Sequence, residues 1–323
     1  VKDQPVTLVA ETAAMSVVPG LAYGAEGANN PAVLLEMARI WRERPHRRPL
    51  RLAVGTGHGL ALAGARNHFA AILAKKLPAP WLTLTLDVTG GSRTVGSYSR
   101  GWFYEYREEL NDKAKPVSGA FRAHGDDIAK AQDIVPARLV MVDAANNSDN
   151  RTWKNNIPGK FAFDCEPFNL ANLPALTFAT VEDGRAAVDT PFDTVDRVDV
   201  ANVWRQAGTI ACLLHHALGD TDSRGETSSH KIPLDAADPR PMTLIGGFAE
   251  ITGEIVSFDP TKSFIPDTKI PGAIALWTGR QKTMMGVRGD TFCLTGKDAT
   301  FRFDGAPTVN SYPPQDPPSI TLD

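Results

Sequence analysis

The chain's 323 residues predict an α/β fold, a mixed and mostly parallel sheet flanked by helices, followed by a C-terminal β-sandwich. Two observations predict the first part. From residue 6 to about 218 short apolar runs alternate with helix-patterned stretches, the rhythm of strand–helix–strand units. Between the first two such runs lies a clearly periodic helical stretch, residues 32–44. A third observation predicts the second part. Beyond Gly219 helical periodicity stops, and strand patterns punctuated by Gly and Pro take over.

Strands are expected at residues 6–10, 50–54, 82–86, 138–142 and 175–179. Between the first two, residues 32–44 read as a helix, because Val33, Leu34, Met37, Ile40 and Trp41 recur every three or four residues. Pro31 is expected in its first turn, and Pro45 ends it. A second helix spans 61–76 and closes before Leu77-Pro78-Ala79-Pro80. A third spans 200–218, with Val203, Ala207, Ile210, Ala211 and Leu214 on one face and Gly219 as its stop. Residues 220–237 read as a polar linker between an α/β domain over 1–219 and a β-sandwich over 238–323. Strands are expected there at 243–248, 253–258, 272–277, 292–294 and 300–303. The tail at 312–318 is proline-rich and expected to be extended.

Composition sets limits on function. Net charge is −3, with 22% charged and 42% hydrophobic residues, so there is no electrostatic case for nucleic acid or an anionic membrane as partner. No apolar run approaches the ~18 residues of a transmembrane helix. Cys165, Cys212 and Cys293 have no CxxC or Cys/His spacing and read as buried or free thiols. Asn146-Asn147-Ser148 and Asn150-Arg151-Thr152 match a glycosylation triplet that chance often produces, in a stretch expected to be an exposed loop. An extracytoplasmic or cell-surface location is favoured over others.

Four stretches carry a family resemblance: VPGLAYGAEGANNPAVLLEMAR (18–39), LAVGTGHGLALAGARNHF (52–69), LTLTLDVTGG (82–91) and DTPFDTVDRVDVANVWRQAGTIACLLHHAL (189–218). In this order they resemble the core of the di-zinc exopeptidases, the family of bacterial leucyl aminopeptidases and glutamate carboxypeptidase. The resemblance covers roughly the first two-thirds of the chain. It implies a parallel-sheet scaffold with an N-terminal portion preceding Val1, and in the family these stretches deliver the zinc ligands and the general base. Here the implied positions hold other residues. Glu11 stands for a His, Ala13 for an Asp, Glu26 for the bridging Asp, His58 for the Glu base, and Gly59 for a Glu ligand. Asp189 replaces a His ahead of Thr190-Pro191-Phe192-Asp193-Thr194, and Asp87 alone is retained in kind. GKDATFRFDGAP (296–307) resembles, more weakly, the closing hairpin of carboxypeptidase regulatory-like domains.

Two readings follow. A glycine cannot ligate through a side chain, and zinc sites depend on imidazole and placed carboxylates. The favoured reading is therefore a catalytically inactive exopeptidase-like protein with a binding or structural role, without cofactor, engaging protein partners or self-assembling in a larger structure. The alternative is a metal-dependent peptidase or amidohydrolase. Its carboxylate-rich set (Asp87, Glu26, Asp189 and Glu11) suits Ca²⁺, Mg²⁺ or Mn²⁺ better than zinc, with His58 as base.

Other signals carry bland readings. Gly55-x-Gly57-x-Gly59 and Gly90-Gly91 read as close backbone packing rather than phosphate binding. His215-His216 reads as a surface pair at a helix end, and Arg288-Gly289-Asp290 as a chance match to an adhesion tripeptide. Trp102, Tyr104 and Tyr106 read as a packing strand. Cys165 reads as a buried small residue in a segment that the resemblance puts near the substrate pocket.

Overall fold

The computed structural model describes residues 4–12, 14, 19–59, 62–101, 113–159, 161–219, 232, 234–235, 238–239, 249–262, 265–277 and 291–306. Its centre is a six-stranded sheet built from β1 (Val6–Glu11), β2 (Leu50–Gly55), β3 (Leu82–Asp87), β4 (Val95–Tyr98), β5 (Met141–Asp143) and β6 (Ala175–Thr180). The strand order is β2-β1-β3-β6-β4-β5. Strands β2, β1, β3 and β6 run parallel, while β4 pairs antiparallel with β6 and parallel with β5. The sheet is therefore mixed and mostly parallel, as expected.

Helices cover both faces. On one face α1 (Ala25–Trp41), α3 (Ala114–Ala131) and α5 (Val200–Leu218) bury Val33, Met37, Phe121, Ile210 and Leu214 against Leu8, Leu84 and Phe178. On the other, α2 (Ala63–Leu73) and α4 (Glu166–Leu170) bury Phe69, Ile72 and Phe168. Central strands β1, β3 and β6 are buried almost throughout because helices shield both faces. Their buried positions include the threonines Thr7, Thr83, Thr85, Thr177 and Thr180 beside the apolar residues.

The structure corrects three local expectations. Helix α1 begins at Ala25, so Pro31 lies inside it. A proline there lacks the N–H that would bond the carbonyl of residue 27. Asn30 Nδ2 donates to the Gly27 carbonyl instead, at 3.3 Å, which relieves the loss. Elements β4 and α3 have no counterpart among the sequence expectations. Strand β4 is only four residues long. Helix α3 buries Ala114, Ser118, Gly125 and Ala129 beside Val117 and Phe121, and a face of mostly small residues leaves little apolar signal. Finally, His216 is buried rather than at the surface, stacked on His124 with 4.5 Å between ring centroids.

The C-terminal residues are all-β. Strands β7 (Ala249–Glu254) and β12 (Thr300–Ala306) pair antiparallel, as do β8 (Val256–Ser257) with β9 (Thr268–Lys269), and β10 (Ile274–Trp277) with β11 (Thr291–Leu294). Phe303 and Ala275 are buried in the same cluster as Phe163 and Leu173. Within the segment read as a linker, Ile232 packs on the opposite core, and the Leu234 carbonyl accepts from Trp81 Nε1 at 3.4 Å. The expected strand at 243–248, the aromatics Trp102, Tyr104 and Tyr106, the Arg288-Gly289-Asp290 tripeptide and the tail at 312–318 lie outside the described residues. Among the described residues no helix is long and apolar enough to cross a membrane.

Candidate functional site

In an open parallel sheet, a crevice forms at the carboxyl ends of strands where successive connections leave in opposite directions. Here β1 is flanked by β2 and β3, and Glu11 and Asp87 are the last residues of β1 and β3. A cleft opens at this point. Glu11, Glu26, His58, Asp87 and Asp189 all line it, together with Asp164, Arg185, Thr89 and Phe161. The sequence-predicted residues therefore share one cleft. Arg185 and Asp164 also line it, and neither was among them.

Helix α1 is fixed over the cleft by polar contacts at its amino end. Gly24 takes the left-handed conformation at the N-cap (φ 63°), where a side chain is disfavoured. The Glu26 N–H donates to Asp193 Oδ1 at 2.8 Å, and Ala25 N–H to the Asp193 carbonyl at 3.2 Å. The 189–194 element thus caps a helix more than 160 residues earlier. Asn30 Oδ1 accepts from Val88 N–H at 2.7 Å, and Glu26 Oε2 accepts from Gly90 N–H at 2.7 Å and Asn29 Nδ2 at 2.8 Å. Gly90 is required by space, since a Cβ there would approach the Asp199 backbone nitrogen to 2.6 Å. From the other side, Gln206 of α5 donates to the Thr89 and Ser92 carbonyls, both at 2.7 Å, and accepts from Thr180 Oγ1 at 2.7 Å.

Arg185 dominates the electrostatics. It is 5% exposed and follows β6 with a left-handed backbone (φ 48°). Its Nη1 donates to Asp87 Oδ1 at 2.6 Å and its Nη2 to the Asp87 carbonyl at 2.9 Å. Its guanidinium carbon lies 4.8 Å from the Phe161 ring centroid. Burial raises the Glu26 carboxyl pKa above the usual range, as do Asp183 and Asp193, while the Gly90 hydrogen bond and Arg185 pull it down.

The second charged group is Glu11, His58 and Asp164. His58 Nδ1 and Asp164 Oδ2 are 2.8 Å apart. Burial alone would lower the imidazole pKa, but Asp164, with help from Asp87 and Glu11, outweighs it and raises it to about 10. His58 is therefore an imidazolium at neutral pH, without the lone pair a general base needs. That counts against the base role considered for it from sequence. The Glu11 carboxyl nests against Gly55 and Gly64, where any Cβ would collide with it. Both its oxygens, and Asp164 Oδ1, are buried without a hydrogen-bond partner among the described residues. Burial first, then Asp164, raise its pKa to about 8, opposed by His58. Glu11 is thus largely a neutral acid at pH 7.

Among the described residues no three His, Cys, Asp or Glu side chains are grouped so that they could hold a metal ion. Asp87 is already engaged by Arg185. The 161–166 segment does lie at the cleft, as the resemblance implied, but through Phe161 and Asp164 rather than Cys165. The thiol is fully buried with its pKa raised well above normal by burial, and Sγ donates to the Tyr98 carbonyl at 3.4 Å. A sequence signal for Arg185 exists in retrospect. It is the polar Glu182-Asp183-Gly184-Arg185 run that leaves the buried strand β6.

No protein-family model and no curated protein matches the chain. Among solved structures it is similar to BSAP, a zinc aminopeptidase from Bacillus subtilis, at 16% identity and TM-score 0.49, over 69% of this chain and 48% of that one. It is also similar to LapB from Legionella pneumophila, at 12% identity and TM-score 0.45, over 65% and 51%. A third is the LapA aminopeptidase of the same organism, at 16% identity and TM-score 0.41, over 66% and 50%. The chain spans about half the length of each. The activities in those names belong to those proteins.

Proposed function

We propose that the chain is a non-catalytic, exopeptidase-like protein whose cleft binds or supports structure rather than turning over peptides, as part of a larger assembly. One observation carries this reading. The carboxylate of Asp87 is neutralised by the buried guanidinium of Arg185 at 2.6 Å, so a cation built into the chain stands at the residue that the resemblance makes a metal ligand. A permanently charged guanidinium has no acidic water to offer and cannot open a coordination position. The raised pKa of His58 supports the same reading, since it disfavours the neutral ring that a base role for this residue needs.

The test is elemental mass spectrometry of the purified protein, with aminopeptidase and carboxypeptidase substrates assayed on the same sample. Sub-stoichiometric metal without turnover is expected. Stoichiometric metal together with peptide or amide hydrolysis refutes the proposal.

A second reading, a hydrolase with a carboxylate-rich site for a hard cation, is favoured by a different observation. Glu11 and Asp164 carry buried oxygens without partners among the described residues, and such groups are costly unless something satisfies them. Manganese or calcium retained through dialysis, and lost in Glu11→Gln, would support it.

A further inference from the structure

Away from the cleft, and sharing none of its lining residues, a groove of about 390 Å³ runs between the carboxyl end of α3 and the exposed side of α5. Its apolar wall is made by Ile128, Ile134, Leu139 and Trp204. The Trp204 side chain is 66% exposed, although a tryptophan on a helix flanking a core is usually covered. Gly208, one turn further along α5, leaves open space where a Cβ would be. Two arginines, Arg93 and Arg205, line the same groove, and no Asp or Glu does. Neither guanidinium has an ion pair or hydrogen-bond partner for its side chain among the described residues. In a chain with net charge −3, an acid-free groove with two unpaired guanidiniums is a local reversal of sign.

We infer that this groove is a second binding site, for a small carboxylate with an aromatic or branched aliphatic body. Its volume lies in the small-molecule range, ~300–1,000 Å³. An arginine fork pairs with a carboxylate through two parallel hydrogen bonds, which a neutral amide cannot reproduce. The indole of Trp204 offers a face for an aromatic body, and Ile128, Ile134 and Leu139 receive its edge and any alkyl part. Two cations and one concave wall suit a monocarboxylate. A polyanion would need an extended basic track, and none is present beside this groove among its lining residues.

The test uses 4-phenylbutyrate as probe and 4-phenylbutanamide as its neutral counterpart, with affinity read by titration calorimetry. Cys212 lines the groove and is exposed, so its alkylation by iodoacetamide, followed peptide by peptide, reports occupancy in place. The carboxylate is expected to bind saturably and to protect Cys212, while the amide binds roughly tenfold or more weakly. Arg93→Gln with Arg205→Gln should lose a similar factor without change in the melting curve, because neither side chain supports the fold. Equal binding of the amide overturns the inference, as does full affinity in the double variant. So does no saturable binding in the millimolar range. Binding lost only on Arg185→Gln, with Cys212 unprotected, would place the anion in the cleft and equally overturn it. None of these outcomes depends on whether the cleft is catalytic.

Discussion

Replacing Arg185 by Met keeps the length of the side chain and removes its charge. In the wild type the guanidinium, 4% exposed, makes two charge-assisted hydrogen bonds to Asp87, whose side chain is 21% exposed. Each such bond contributes ~1.5–3 kcal/mol, and removing one member of a buried pair commonly costs ~3–5 kcal/mol. Water can reach the partly open Asp87 and recover some of this, so the expected net loss is ~2–4 kcal/mol. That corresponds to a melting midpoint lower by roughly 5–15 °C. The assay is urea and thermal denaturation of wild type and Arg185→Met at pH 7. The same variant opens the position next to Asp87, and uptake of Mn²⁺ or Ca²⁺ by Arg185→Met but not by wild type would identify the guanidinium as the resident cation. A variant as stable as the wild type at pH 7 refutes the reasoning, since the ion pair would then contribute nothing.

Two further outcomes are expected. The folded pKa of Glu11, about 8, lies above its ordinary value of 4.5, so its contribution is fully present below that ordinary value and is lost as pH rises through 8. Glu11→Gln should therefore flatten the fall in stability between these pH values, by up to a few kcal/mol, read by urea midpoints across the range. An unchanged pH profile in the variant would mean that Glu11 titrates normally. Gln206→Leu leaves the Thr89 and Ser92 carbonyls and Thr180 without the amide that joins them, and a loss of ~2–3 kcal/mol is expected. If denaturation shows no loss, the loop over the cleft is held by other contacts.

The distinction between the two functional readings rests on charge. Glu11, Glu26, Asp87, Asp164 and Asp189 line one cleft, and five carboxylates without compensation would repel one another. Two groups compensate them, the Arg185 guanidinium on Asp87 and the His58 ring against Asp164, a neighbour that raises the ring's pKa. Burial supplies a third, by favouring the neutral form of Glu11. The cleft is thus organised electrostatically by side chains of the chain itself, which is the physical basis of the non-catalytic proposal.

Much was legible in the sequence, for local reasons. Strands β1, β3 and β6 were recognisable as short runs of apolar residues and threonine that are buried almost throughout. Strand β2 was recognisable by its apolar Leu50, Leu52, Ala53 and Val54 although it is only half-buried, and α5 because its buried face recurs at helical spacing and ends at Gly219. That Glu26, His58, Asp87 and Asp189 share a cleft was implied by the order of the four motifs, and Glu11 by its place at the end of the first expected strand. Only the tertiary structure could decide what these residues do there. Arg185 reaches Asp87 from 98 positions away, and Asp164 reaches His58 from 106. No local pattern encodes such pairings, because a charge in a loop looks the same in sequence whether solvated or buried. The start of α1 likewise depended on Asp193, which caps it from a distant element, and α3 on a sheet face that accepts small residues. Sequence thus fixed the scaffold through periodicity and position, while the protonation and pairing of the cleft emerged only where distant segments met away from water.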